Sequence, residues 1–428
     1  MTHILFVTPY YPPEKAAPAV RISETAACLV RRGYEVTVLT TLPNYPNGIV
    51  PQQYRKGGPV QVETYQGVRV IRVWSYIHPN KGFFRRILSQ LSFGCLAPLL
   101  GWHAIGSPDI ILAESPPLFD AIAGRLLSRF KRCPFIFIVS DLWPASAVQL
   151  GVLQNRILIR LAEWLEWSTY QRAALVWSLT EGIRTDILTR GLPPEKIFLL
   201  TNGVDTRKFS PSSQAQARAA LGWDDCFTAL YAGTHGLAHG LTLLLKAAEI
   251  LRVHPNIRFV LIGDGAAKKE LMSEAERRRL INVLFLEPTS HDQMPQVLAA
   301  ADVCLIPLKK LPLFEGALPS KMYEAMACAR PLVLSVSGEA RRLVEREAGA
   351  AIWVEPENAD HLASAILSLQ KNSAQAALLG QRGRVFVEQH FDRDHLVAQL
   401  EKHIRTLVTK HTSEPIVSHL SISDTSST

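Results

Sequence analysis

Short apolar runs alternate with amphipathic stretches along nearly the whole chain, and the alternation stops once and restarts. Parallel strands cannot be joined by a tight turn; each pair needs a crossover, usually a helix. The alternation therefore selects an α/β fold with parallel sheets. His3-Ile4-Leu5-Phe6-Val7 is a buried strand, followed by a turn-rich stretch from Thr8 to Pro13. A helical pattern over 19–32 stops at Gly33, and Glu35 to Thr40 forms the next strand. Further strands are expected at 68–74, 109–113, 134–139 and 174–179. Leu200 to Asp205 closes this series with an Asn-Gly turn, and 207–213 reads as a linker. The second series predicts strands at 226–232, 257–262, 282–286, 302–306, 331–335 and 350–354. Its helices are expected at 240–253, 266–278, 292–300, 320–328, 339–347 and 359–370. Two such series predict two Rossmann-like domains, 1–203 and 204–390, whose parallel sheets face each other across a cleft. The Ser- and Thr-rich stretch 412–428 is expected to be disordered.

With 428 residues, 47% of them apolar, the chain can bury two cores. Six cysteines stand singly with no Cys-x-x-Cys pair, which argues against a disulfide framework or structural zinc and for a reducing, cytoplasmic setting. The N-terminus lacks the charged start of a signal peptide. The apolar stretch 87–105 is interrupted by Ser89, Gln90, Ser92, Pro98 and His103, so it reads as a buried or interfacial helix and not a span. The net charge is +8. Residues 1–200 hold 21 Lys and Arg against 13 Asp and Glu, and the remainder is balanced. The basic half is either an ordinary surface or the face for an anionic partner such as a membrane surface or a diphosphate. No nucleic-acid motif accompanies it, so no nucleic acid is expected.

Three stretches carry chemistry. Leu261-Ile262-Gly263-Asp264-Gly265 ends a strand with two glycines, either a plain turn or a loop offering amides to an anion. Tyr231 to Leu241 places Gly233, Gly236 and Gly240 before a helix, with His235 and His239 as phosphate donors or structural residues. It is neither a dinucleotide fingerprint nor a phosphate-binding P-loop. Phe314 to Ala327 runs through Pro319 and Ser320 into a helix, with Glu324 in the first turns at its positive end. Lys321 and Glu324 lie three apart on one face. They form either a surface ion pair or a carboxylate for sugar hydroxyls beside an ammonium for phosphate.

The combination resembles the family 4 glycosyltransferases of the GT-B fold, over about residues 3 to 395. The carrying residues are the opening strand–loop–helix, Asn202-Gly203-Val204-Asp205, Gly263-Asp264-Gly265 and the Glu-bearing loop before Ala325-Met326-Ala327. Leu42-Pro43-Asn44-Tyr45-Pro46-Asn47-Gly48, Ser140-Asp141-Leu142-Trp143-Pro144 and Pro319-Ser320-Lys321 are similar to stretches in the enzymes of bacterial exopolysaccharide and O-antigen assembly. The resemblance implies that the second domain binds a nucleotide diphosphate-sugar. Glu324 matches the family's ribose-binding Glu. Glu315 takes the place of the sugar-contacting Glu, although eight residues separate the pair where the family has seven. Amides from Gly316 to Leu318 are alternatives for that task. Gly236, Gly263, Gly265, Thr234 and Ser320 fall on the donor-binding side. Many relatives carry an Arg and a Lys in the loop matching 233–240, whereas this chain has Thr234 and His239. Lys321, His239 and the amides near Gly236 are then the candidates to offset leaving-group charge, since no metal pair is recognisable.

In the first domain the family's glycine pair is replaced by Glu14-Lys15-Ala16-Ala17-Pro18-Ala19-Val20-Arg21, making Lys15 and Arg21 candidates for an anionic acceptor. Arg21 is otherwise a solvated helix residue. Asp141 is placed to orient an acceptor hydroxyl, beside Ser140, and Trp143 offers a stacking face, unless both are loop structure. In a retaining reaction the departing diphosphate takes the acceptor proton and Asp141 positions the acceptor. Asn80 to Leu88 mixes aromatic and basic residues, as a membrane-dipping segment or a core helix with a basic flank. The family fold also implies that a final helix, about 391–411, packs back on the first domain.

The expected function is sugar transfer from a nucleotide donor, UDP before other nucleotides, to a lipid-linked saccharide. The reaction is expected to be retaining, with no metal or other cofactor. The expected location is cytoplasmic, at the inner face of the plasma membrane. The alternatives are a sugar-nucleotide 2-epimerase of the same fold and a non-catalytic donor-binding or scaffolding subunit.

Overall fold

A computed structural model describes residues 1–14, 16–45, 48–78, 83–149 and 151–413. The first sheet contains β1 (His3–Val7), β2 (Glu35–Thr41), β3 (Val60–Tyr65), β4 (Val68–Val73), β5 (Ile110–Ser115), β6 (Phe135–Val139), β7 (Leu175–Ser178) and β8 (Ile197–Leu199). Its order is β3-β4-β2-β1-β5-β6-β7-β8, and only the β3–β4 pair is antiparallel. The second sheet contains β9 (Phe227–Ala232), β10 (Ile257–Ile262), β11 (Val283–Leu286), β12 (Val303–Pro307), β13 (Leu332–Ser335) and β14 (Ala351–Trp353). It is parallel throughout, in the order β11-β10-β9-β12-β13-β14.

Continuous apolar runs mark strands buried on both faces. In β1, Ile4 and Phe6 face one helical layer, and Leu5 and Val7 the other. The first layer holds α1 (Ala17–Arg31), whose Ile22 and Leu29 pack beside Leu396, Leu400 and Ile404 of the final helix. The opposite layer holds α2 (Phe83–Gly101), α3 (Asp120–Lys131), α4 (Arg156–Arg172) and α5 (Glu181–Thr189). They bury Phe93, Ala97, Leu127, Tyr170, Ile183 and Ile187. Right-handed crossovers require this division, because the chain runs leftward from β1 to β2 and rightward from β4 onward.

The sequence reading missed β8 and the helices Gln214–Leu221 and Ser373–His390, and two further features differ from it. β3 is a half-exposed edge strand whose residues alternate weakly, joined to β4 by Gln66 and Gly67, both at positive φ. The segment expected as one helix over 339–347 is α-helical only at Glu339–Arg341 and becomes a π-helix over Arg342–Glu347.

The two domains meet through loops at the carboxyl ends of both sheets. A Cβ on Gly182, after β7, would lie 2.9 Å from Gly316 Cα, after β12. Two helices matter to the site: the short α6 (Lys321–Ala327), which follows β12, and the long final α7 (Arg393–Ser413). α7 crosses to the first domain, where Glu401 accepts from Arg32 Nε at 2.8 Å and from the Tyr34 hydroxyl at 3.0 Å. It runs through Ser413, so Thr412 and Ser413 are helical; the rest of the Ser/Thr-rich tail lies outside the described residues. Among the described residues, no helix is long and apolar enough to cross a membrane.

Candidate active site

Lys321 opens α6 and turns its side chain under the Tyr231 ring, with Nζ 4.0 Å from the ring centroid. Gly233 permits this approach, because a Cβ there would stand 2.7 Å from Nζ. The amine is buried without a hydrogen-bond acceptor. Burial pulls its pKa down to about 7, against the pull of Glu324. His235 and His239 flank the same tyrosine, with ring centroids 5.8 and 6.3 Å from it. Both nitrogens of His235, and Nδ1 of His239, lack partners. Burial pushes both imidazoles down to about 4, helped by Lys268 and Lys321 at His235 and by Lys321 at His239. Native proteins rarely leave buried polar groups unpaired, and each costs about 1–3 kcal/mol. His235 is fully buried, whereas His239 is part-exposed, so Lys321 and His239 are the pair placed to meet an anion.

The glycines of the β10 turn do a different task from the one expected. A Cβ on Gly263 would stand in van der Waals overlap with the Gly233 carbonyl oxygen, and one on Gly265 would lie 2.5 Å from the His235 carbonyl oxygen. They let the loops after β9 and β10 interlock. The Gly263 amide donates to Leu286 O at 3.3 Å and the Gly265 amide to Asp264 Oδ1 at 2.8 Å. Neither amide is left for an anion, so the expectation that these two glycines offer donors is corrected. The interlock continues from His235 N to Asp264 O and from Ala267 N to His235 O. This is what fixes His235. The Gly236 amide has no acceptor among the described residues, and Thr234 is exposed beside it.

Glu324 and Lys321 form no ion pair, although each feels the other's charge. Glu324 Oε1 lies 4.0 Å from His291 Nδ1, and burial raises its pKa against the pull of His291. His291 Nε2 lies 2.9 Å from Glu24 Oε1, on α1 of the other domain. Glu24 also accepts from Arg393 at 2.8 Å. Burial pushes Glu24 up, but His291 and Arg393 hold it below the ordinary carboxylate value. His291 was missed because a single histidine in a polar loop has no sequence signature. Ser320 precedes α6 with helical dihedrals, and its side chain makes no cap bond.

Glu315 lies apart from Lys321 and Glu324. It is exposed on a turn (Pro312–Gly316) that lines an interdomain hollow of about 590 Å³ with Glu181, Gly182, Glu339, Arg341 and Arg342. There Glu339 spans the domains: its two carboxylate oxygens accept the amides of Glu181 and Gly182 at 3.0 Å each. It thereby meets the positive start of α5.

On the acceptor side, Arg21 departs from the reading as a solvated helix residue. It is buried and paired with the Glu114 carboxylate, and its Nη1 donates to Asn202 Oδ1 at 3.1 Å. It is not solvated: its guanidinium lies in an internal charge pair, with Nε left without a partner. Asp141 follows β6; burial raises its pKa, opposed by bonds from Ser146 and the Leu142 amide. Trp143 is half-buried with its ring edge-to-face on Phe119 at 6.0 Å, so one side of it belongs to the core. Lys15 and Asn80 to Gly82 lie outside the described residues. Glu14 was not anticipated. It is buried, its Oε1 accepts the Asn44 and Tyr45 amides at 2.7 and 2.9 Å, and its Oε2 has no partner.

Residues 17–203 match the Glycosyl transferase 4-like domain, and residues 213–386 match Glycosyl transferases group 1. The chain belongs to the family 4 glycosyltransferases. This glycosyltransferase is 26% identical to WcaI of Escherichia coli strain K12, a glycosyl transferase named for colanic acid biosynthesis, over 92% of this chain and 98% of that one. Its fold is GT-B. Sucrose-phosphate synthase from Thermosynechococcus elongatus superposes with a TM-score of 0.75 at 20% identity, over 96% of this chain and 100% of that one. HepE of Anabaena, solved with UDP and glucose, superposes with a TM-score of 0.71 at 19% identity, over 95% and 100%. The epimerase and non-catalytic readings of the glycosyltransferase sequence gain no support from these matches.

Proposed function

We propose that this glycosyltransferase moves a sugar from a UDP-sugar to a lipid-linked saccharide in cell-surface polysaccharide assembly, with retention of configuration and without a metal. The observation that carries the donor site is the buried, unpartnered Lys321 amine beside His239 at the carboxyl end of the second sheet. Ligands of open parallel sheets bind at that end. A donor diphosphate supplies the acceptors that these nitrogens lack, and aimed donors favour the charge that grows on the leaving group. Glu324, one turn along α6, is then placed for the ribose hydroxyls. The likeness to HepE, whose structures contain UDP and UDP-glucose, supports the nucleotide, and the likeness to WcaI supports polysaccharide assembly.

The first domain takes the acceptor, with Asp141 and Glu14 as carboxylates at the carboxyl ends of its strands. Asp141 positions the acceptor hydroxyl, and the departing diphosphate takes its proton. The enzyme works on the cytoplasmic membrane face, where lipid-linked saccharides are presented. Titration calorimetry with UDP, GDP and ADP tests the donor site. UDP binds selectively, and Glu324→Ala weakens it at least tenfold, about 1.4 kcal/mol. Equal binding by wild type and variant sinks the assignment.

A further inference from the structure

The outer side of α4 carries an apolar row where a surface helix is normally polar. Ile157, Leu161 and Trp164 are 70%, 57% and 63% exposed, and their spacing puts them on one helical face. Val148 and Val152, just before the helix, are also exposed. So are Leu88 and Leu99 of α2 and Phe130 of α3, in the same helical layer.

Charge decides what this layer fits. Arg85, Arg129, Arg156, Arg160 and Arg172 are exposed on α2, α3 and α4. Among the described residues of these helices, Glu163 is the one exposed acid. Glu166 is buried and held by Arg190, and Asp120 is buried. A two-fold pairing of this layer with a second copy would set arginines against arginines with little acid to answer them. An anionic lipid surface answers both features: its phosphates meet the guanidinium groups while the aliphatic row and Trp164 enter the interfacial zone.

We infer that the exposed apolar row of α4, flanked by Arg156 and Arg160, docks this enzyme on an anionic bilayer. This deepens the membrane part of the proposed function by assigning the surface, and it places the contact on α4 in addition to any made by the segment before α2. The layer lies opposite α1 and α7, so docking leaves the cleft between the sheets open to a membrane-held acceptor.

The test is co-sedimentation of the full chain with phosphatidylcholine vesicles with and without phosphatidylglycerol, at low and high salt. Wild type sediments with the anionic vesicles, and high salt weakens the binding. Ile157→Glu with Leu161→Glu lowers partitioning at least tenfold. Arg156→Gln with Arg160→Gln lowers it and reduces the salt dependence. Thermal unfolding verifies that each variant is folded, and UDP calorimetry on the same samples reads the donor site independently. Partitioning that ignores phosphatidylglycerol, or folded variants that bind like wild type, overturns the inference. So does a concentration-dependent dimer in sedimentation velocity that the Ile157→Glu, Leu161→Glu variant dissolves, since it assigns the row to a second copy.

Discussion

Arg21 in the first domain and Lys321 in the second are both buried cations near the start of a helix that follows a sheet strand. Arg21 is enclosed by its own protein: Glu114 takes its charge and Asn202 a further N–H. Lys321 has a tyrosine face and no hydrogen-bond acceptor. A cation with an internal counter-charge holds the fold together. One left without an acceptor keeps its capacity for an anion brought from outside. The comparison separates a charge answered inside the protein from one left without an acceptor more sharply than residue type does.

The largest expected effect tests the structural half. Arg21→Met leaves Glu114 as an unpaired buried carboxylate, and breaking such a pair costs about 3–5 kcal/mol. Urea unfolding is expected to show that loss, while a variant within about 0.5 kcal/mol of wild type would return Arg21 to the list of acceptor ligands. For the functional half, Lys321→Met is expected to lower transfer about a hundredfold, roughly 2.7 kcal/mol, with stability unchanged or raised because a buried amine is gone. Turnover within threefold of wild type breaks the contrast.

Next is the bridge between the domains. Glu339→Gln weakens two charge-assisted bonds to the start of α5 and is expected to cost about 1 kcal/mol of domain closure. Small-angle scattering should show a wider free enzyme, with the nucleotide affinity of the isolated step little changed. The smallest effect concerns protons. Burial holds Lys321 at about 7, so at pH 8 about nine in ten free molecules carry a neutral amine. A bound diphosphate favours the ammonium, so binding takes up a proton and affinity falls as pH rises from 7 to 9. Calorimetry in buffers of different ionisation enthalpy measures the uptake, and Lys321→Met should abolish it.

Part of the candidate site was legible in the chain. A strand-to-helix loop ending in Pro319-Ser320-Lys321 fixes where α6 starts, and local spacing fixes that Glu324 lies one turn on. The spacing could not give their partners: Lys321 Nζ lies over the Tyr231 ring of β9, whereas Glu324 Oε1 lies 4.0 Å from His291 Nδ1 in the loop after β11. Gly263 and Gly265 were rightly singled out as special positions, but the close approach they permit is to the neighbouring loop.

The sequence by itself determined the α/β class with two mainly parallel sheets, and placed their strands to within a residue or two except β3 and β8. Periodicity and turn residues act over a few positions, and a buried parallel strand needs its apolar run wherever it sits. Only the tertiary structure decided which polar groups are paired. Arg21 and Glu114 are 93 positions apart, Glu24 and His291 are 267 apart, and Glu339 meets Glu181 across 158. Desolvation and hydrogen bonding depend on what the fold brings within about 3 Å, and no local pattern encodes that.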